Sequence, residues 1–268
     1  NMMEILKKTY IYILFASFGL LVFCFNAPPG GGDGGDNEDI IDKLRRILSI
    51  YHYSPKQIND DYSEKVLNQF IQYAGIPVIS LESATLHPLQ SLTDIITIKE
   101  SIELSVAFKH KKPKVVLTWA PHIKAIPQCV SNSFSEWMNS WGEADFIITH
   151  PQGYELSEAY TEGATILHDQ DLALKDADFV FVKNWSAYHE YGKVLCSDAN
   201  WMLTNQKLAI TNDAKVMHCL PVRRNVELSD EVLDGPNSLV TKQASNRVWA
   251  AQAVLAEILK TIDTVQKK

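Results

Sequence analysis

Beyond residue 113, short unbroken apolar runs alternate with segments whose apolar residues recur at helical spacing. KVVLTWA (114–120), DFIITHP (145–151), DFVFVKNW (178–185), KVMHCLP (215–221) and SLVT (238–241) read as strands. Between them, SNSFSEWMNSWG (131–142) and DQDLALKDA (169–177) read as helices, the first with Ser131 or Asn132 as its N-cap. A long amphipathic helix over 245–262 closes the chain, with Val248, Ala251, Leu255, Ile258, Leu259 and Ile262 along one side. Upstream, the pattern predicts helices over 36–51 (Ile40, Ile41, Leu44, Ile47, Leu48), over 62–75 and over 87–102. Gly75 stops the second, Pro88 sits in the first turn of the third, and a strand is expected over 76–81.

Strands buried along their whole length and separated by helices imply an α/β fold with a parallel sheet covered on both faces. Ligands in such folds bind at the carboxyl ends of the strands. Three of the predicted strands end in polar or cyclic residues: Trp119-Ala120-Pro121-His122, Lys183-Asn184-Trp185 and His218-Cys219-Leu220-Pro221. One such terminus is ordinary, and three in one sheet suggest a site. His150, just before Pro151, reads as part of a strand-ending turn with a structural role.

The first forty residues break the pattern. Two lysines precede a mostly apolar run, Thr9–Phe25, which on composition fits a secretory signal, a short membrane anchor or a buried strand pair. NAPPGGGDGGDNED (26–39) is rich in Gly and Pro and reads as a linker. It carries no Lys or Arg and matches neither GxxxxGK[ST] nor GxGxxG, so it is not a nucleotide phosphate loop.

The 268 residues, 46% apolar and 21% charged, suffice for one large or two modest domains. A net charge of −7 without a basic stripe excludes a nucleic-acid partner. Cys24, Cys129, Cys196 and Cys219 are scattered without a CxxC pair, which argues against a disulfide framework and a cysteine-bound zinc. No internal repeat of fixed period is present.

Two motifs then combine. HPLQ (87–90) opens a helix, HCLP (218–221) ends a strand, and NR (246–247) stands at the head of the last helix. With ESATLHPLQSLTDIITI, TWAPH, THPQGYEL, VKNW and MHCLPVRRN, the chain resembles the aspartate/ornithine carbamoyltransferases. The likeness is greatest to the branch acting on N-acetyl- or N-succinylornithine, and it extends from about Asn68 to the C-terminus. The resemblance implies two Rossmann-like parallel-sheet domains. An abridged carbamoyl-phosphate domain would occupy 1–100, an acylornithine domain 101–242, and a C-terminal helix over 243–268 would return to the first. It also implies a cytoplasmic homotrimer acting on carbamoyl phosphate and an acylated ornithine, with no cofactor, no metal and no membrane association. On this likeness Thr9–Phe25 is strand material.

By the same resemblance, His87 and Gln90 donate hydrogen bonds to the carbamoyl oxygen as it gains charge. The backbone carbonyls of Cys219 and Leu220 meet the carbamoyl amino group, and Arg247 contacts the phosphate donor. Glu82, His122, Lys183, Asn184 and Arg223 are assigned to the amino-acid substrate, where cationic groups suit its carboxylate and acyl oxygens. Cys219 as a thiolate nucleophile is not required by this motif. The family's Ser-x-Arg-Thr-Arg phosphate loop has no counterpart: APPGGGDGG follows LLVFCFN, which resembles the preceding strand. Each lost charge-assisted bond would forfeit about 1.5–3 kcal/mol of donor binding. Two alternatives follow: a relative that binds the amino acid without turnover, and an exported or anchored binding protein if Thr9–Phe25 is a signal.

Overall fold

The computed structural model describes residues 78–83, 85–105, 111–190 and 192–266, with short pieces of the N-terminal quarter (16–17, 20–21, 65 and 68–73). The predicted helix over 36–51 lies outside them, and of the helix over 62–75 residues 65 and 68–73 are helical. Within Thr9–Phe25, Ala16–Ser17 and Leu20–Leu21 pair as a short antiparallel ladder. Of the strand expected over 76–81, residues 78–81 form none, and among the described residues there is one parallel sheet.

Five parallel strands build the sheet: β1 (Lys114–Trp119), β2 (Asp145–Thr149), β3 (Thr165–Leu167), β4 (Phe179–Lys183) and β5 (Lys215–Met217). Their spatial order is β3-β2-β1-β4-β5. The chain winds outward from β1 to β3, returns, and winds the other way from β4. The reversal opens a crevice beyond Trp119 and Lys183, which are register partners. The pleat sends alternate side chains to opposite faces. Val115, Leu117, Phe179, Phe181 and Met217 enter one core, while Val116, Val180, Val182 and Val216 enter the other.

Helix α1 (Pro88–Glu103) and helix α2 (Cys129–Trp141) cover the first face, where the Phe134 ring stacks on Phe181 at 4.5 Å between centroids. The short helices α3 (Glu158–Thr161), α4 (Gln170–Leu174), α5 (Asn205–Leu208) and α6 (Asp230–Leu233) fill connections, and α7 (Val240–Gln266) packs on α1.

Three local expectations are corrected. Helix α2 starts two residues early, with Gln128 at the N-cap position, because Ser133 and Asn132 serve tertiary partners: Ser133 Oγ accepts from the His87 N–H and Asn132 Nδ2 donates to the Thr85 carbonyl. The strand expected over 238–241 is a single bridge between Val216 and Ser238, and helix α7 already begins at Val240. Most consequential is the face that α7 presents. Val248 and Ala251 of the predicted apolar stripe are exposed and Leu255 and Ile258 half-buried, whereas the buried residues near the head of the helix are Val240, Gln243, Asn246 and Ala250. The polar pair docks by hydrogen bonds, Asn246 Nδ2 to Thr97 Oγ1 at 3.0 Å and Gln243 Nε2 to Asp94 Oδ1 at 2.6 Å. Val248 and Trp249 are left 57% and 60% exposed. No described helix is long and apolar enough to cross a membrane.

Candidate active site

The site grows from four chain ends that meet at one edge of the molecule. His87 is the N-cap residue of α1, followed by Pro88, whose missing N–H costs nothing in a first turn. The cap has no side-chain hydrogen bond of its own; instead the His87 backbone N–H donates to Ser133 Oγ at 2.7 Å, which fixes the helix start against α2. The His87 imidazole is buried, Nδ1 lacks a partner, and Nε2 lies 3.9 Å from Glu82 Oε2. Burial, then the fields of Arg247 and Lys183, lowers its pKa to about 4. The ring is therefore neutral at pH 7 and keeps one N–H to donate.

One turn along, Gln90 Nε2 donates to Asp94 Oδ1 at 2.7 Å, an i,i+4 pair on the buried face of α1. Its unpartnered buried atom is Oε1, so the amide presents an acceptor where a donor was expected. Asp94 Oδ1 also accepts from Gln243 Nε2 on α7, and Gln243 Oε1 accepts the His218 backbone N–H at 2.9 Å. An unbroken relay thus joins the HPLQ helix to the HCLP strand end. Burial raises the Asp94 pKa to about 7, against the opposing pull of Gln243, Gln90 and Arg247.

At the end of β5 the His218 ring takes the Leu220 N–H on Nδ1 (3.1 Å), so Nε2 carries the hydrogen toward Glu227 Oε1 at 3.3 Å. Glu227 Oε2 in turn accepts the Arg223 N–H at 2.9 Å. Burial works to raise the Glu227 carboxyl, but the bond from His218 and further favourable contacts hold it below its usual range. The loop so pinned carries Leu220 at φ +49, an uncommon conformation for a residue with a Cβ, and a cis bond to Pro221. Among the described residues neither the Cys219 nor the Leu220 carbonyl accepts a hydrogen bond. Burial pushes the Cys219 thiol up, so it is no thiolate.

Lys183 ends β4 buried at the crevice, and its ammonium makes no hydrogen bond among the described residues. Burial alone would lower its pKa; nearby acidic groups, the Glu227 and Glu82 carboxylates among them, outweigh it and raise it, so the charge persists. Beside it Asn184 is also buried, Nδ2 donating to the Ala120 carbonyl at 2.7 Å and Oδ1 unpartnered. From the end of β1, His122 Nε2 accepts from Arg223 Nε at 2.8 Å, which ties two sequence-predicted residues 101 positions apart into one pair. Arg224, by contrast, is spent on Asp230 and Asp234. Arg247 stands exposed two turns into α7 rather than at its head, with an unbonded guanidinium among the described residues.

His87, Gln90, Cys219, Leu220, Lys183 and Glu82 thus form one cluster, with the His122–Arg223 pair at its margin and Arg247 acting on it through its charge. Sequence reasoning missed Asp94, Gln243, Glu227 and Ser133. Asp94 had a local signal, an acid four residues after Gln90 among apolar neighbours. Gln243 and Ser133 act across long sequence separations and had none, whereas Glu227 meets His218 and Arg223 within nine residues, an acid close behind HCLPVRR.

The α/β crevice thus gathers a neutral imidazole, two free backbone carbonyls and a buried ammonium, with an exposed guanidinium acting on it through its charge. Residues 130–258 match the family model of the aspartate/ornithine carbamoyltransferase Asp/Orn-binding domain. The N-succinylornithine carbamoyltransferase of Bacteroides thetaiotaomicron is 48% identical over 220 residues, covering 81% of this chain and 67% of that one. The N-acetylornithine carbamoyltransferase of Xylella fastidiosa is 30% identical over 248 residues, covering 83% and 73%. Crystalline N-acetyl-L-ornithine transcarbamylase superposes with a TM-score of 0.65 at 29% identity, covering 75% of this chain and 65% of that chain. A variant of that enzyme, solved with carbamyl phosphate and N-succinyl-L-norvaline, gives the same score at 30% identity, over 74% and 64%. The chain belongs to the aspartate/ornithine carbamoyltransferase family of transferases, and it spans about two thirds of the length of these relatives.

Proposed function

We propose that this protein transfers the carbamoyl group of carbamoyl phosphate to the side-chain amine of N-succinylornithine, a step in arginine biosynthesis. The observation that carries the reading is the hydrogen-bonded relay Gln90–Asp94–Gln243–His218, which holds the HPLQ and HCLP residues in one cluster. The succinyl preference is supported by 48% identity to the succinylornithine enzyme against 30% to the acetylornithine enzyme.

In this mechanism the carbamoyl carbon lies between His87 and the Cys219–Leu220 turn. The neutral His87 imidazole donates a hydrogen bond to the carbamoyl oxygen as attack by the amine turns it into an oxyanion. The carbonyls of Cys219 and Leu220, with Gln90 Oε1, accept from the carbamoyl amino group. Arg247 stabilises charge on the departing phosphate, whose further contacts come from elsewhere, since Ser-x-Arg-Thr-Arg is absent from this sequence. Lys183 and the His122-braced Arg223 hold the carboxylate and acyl oxygens of the acceptor, and Glu82 and Asn184 line the same side. The same reading carries a homotrimer working in the cytoplasm.

A ureido-product assay tests this with carbamoyl phosphate and N-succinylornithine, N-acetylornithine or ornithine. Turnover with the succinyl substrate is expected, reduced by about 10²–10³ in His87→Ala, the scale of one lost oxyanion donor. Binding of N-succinylornithine without turnover would favour a relative that keeps the amino-acid pocket alone.

A further inference from the structure

On the far side of the sheet from β5, the β2–β3 ladder ends with Thr149 beside Leu167, so His150 and His168 leave the two strands side by side. The His150 N–H continues the ladder to the Leu167 carbonyl at 3.3 Å, which makes the placement of both rings a matter of sheet register. Glu155 joins them from the loop after β2, and one ligating atom from each of the three lies within 4.8 Å of the other two.

The protonation pattern is set by what each ring touches. His150 Nδ1 lies 2.8 Å from the Pro151 carbonyl, and His168 Nδ1 lies 3.1 Å from the His150 carbonyl. A carbonyl only accepts, so each Nδ1 carries the hydrogen and each Nε2 keeps its lone pair. Backbone carbonyls holding Nδ1–H in this way are the usual outer support of metal-bound histidines. His150 is fully buried, yet its Nε2 has no partner, a costly state for a ring nitrogen in a protein interior. Glu155 Oε1 is engaged by the Gly153 N–H at 3.1 Å, leaving its second oxygen open.

We propose that His150, His168 and Glu155 form a binding site for a divalent transition metal of the zinc type. Two imidazoles and one carboxylate are a known zinc donor set, with a fourth position left for water. Bond lengths near 2.0–2.2 Å require the donors to close to about 3.4 Å from one another. His168 and Glu155 are exposed and can rotate onto a fixed His150. The site lies outside the carbamoyl cluster and takes no part in the chemistry proposed above, although the His150 ring is 6.1 Å from that of Trp185. Its consequence is mechanical: Glu155 adjoins Tyr154, whose carbonyl accepts Trp185 Nε1 at 2.8 Å and whose hydroxyl takes the Leu195 and Cys196 N–H groups. An ion there fastens the loop that backs Lys183-Asn184-Trp185.

The test is titration of the metal-free full chain with zinc chloride against a chromophoric chelator, followed by cobalt(II) for its visible spectrum. Micromolar or tighter zinc binding is expected, with His168→Ala and Glu155→Gln each weakening it by about tenfold or more. Zinc should raise the melting temperature of the wild type and leave both variants unmoved. Both side chains are exposed, so the variants should melt like the wild type without metal; if His168→Ala does not fold, Glu155→Gln decides. Failure of the wild type to bind zinc, or binding untouched by the substitutions, overturns the proposal.

Discussion

His87 and Asp94 sit in one cluster and titrate in opposite senses. The His87 imidazole is lowered from 6.5 to about 4, so the folded protein resists a proton that the unfolded chain accepts. Its contribution to stability is whole above pH 6.5 and is lost as pH falls toward 4. Asp94 is raised from 3.8 to about 7, so the folded protein keeps a proton that the unfolded chain releases. That contribution is whole below pH 3.8 and is lost as pH rises through 7. The windows overlap and the two slopes oppose, so Asp94 offsets part of the rise in stability with pH that His87 contributes, together with the buried His150 and His218, which are lowered in the same sense. Asp94→Asn removes one of the two while keeping an acceptor for Gln90 and Gln243. Urea melts of that variant should show stability rising by about 2–3 kcal/mol from pH 4 to 6.5. A rise no steeper than the wild type's would contradict the opposed pair.

The elements hold the site through a few polar anchors rather than through apolar packing alone. Ser133 Oγ is the sole acceptor for the buried N–H at the head of α1. Ser133→Ala strands that donor, which should lower stability by about 1–3 kcal/mol and reduce kcat more than it alters KM for the acceptor, since His87 is what it positions. Asp178 does the same work at the other end of the sheet. Its carboxylate is 1% exposed and accepts from the Lys114 N–H at 2.8 Å and from Asn212 Nδ2 at 2.7 Å, with Lys111 Nζ at 3.2 Å. Asp178→Ala leaves these donors facing a void and should cost about 2–4 kcal/mol in denaturant melts. Elements buried on both faces were legible in the sequence: β1 and β4 are continuous apolar runs. The three residues of β3 were not, because an edge strand half open to solvent needs no such run.

At the scale of the whole molecule, the substrate proposal and the α7 surface make separate claims. A ligand that binds only the folded state stabilises it, by about 2.7 kcal/mol at a hundred times its dissociation constant. N-Succinylornithine should therefore raise the melting temperature, and Arg223→Ala should abolish the rise because the guanidinium braced on His122 is lost. At the head of the apolar stripe predicted for α7, Val248 is more than half exposed, as is its neighbour Trp249, while Leu255 and Ile258 further along are half-buried. A homotrimer is the expected assembly, and velocity sedimentation showing monomer alone would count against it.

The sequence by itself determined the sheet's buried strands, the helix opened by Pro88, and the residue types gathered at the strand ends. Periodicity reports which positions leave water, and two short motifs resembling one family reported which of them meet a ligand. Only the tertiary structure decided which face α7 buries, which amide atom Gln90 leaves open, and that Asp94, Gln243 and Glu227 wire the site. It also turned His150 from a structural residue into a candidate ligand, through strand register. The docking of α7 depends on partners far along the chain, Gln243 being 149 positions from Asp94. A hydrogen bond across that distance leaves no local trace, because local sequence sets propensity while a partner's position is set by the packing of the whole.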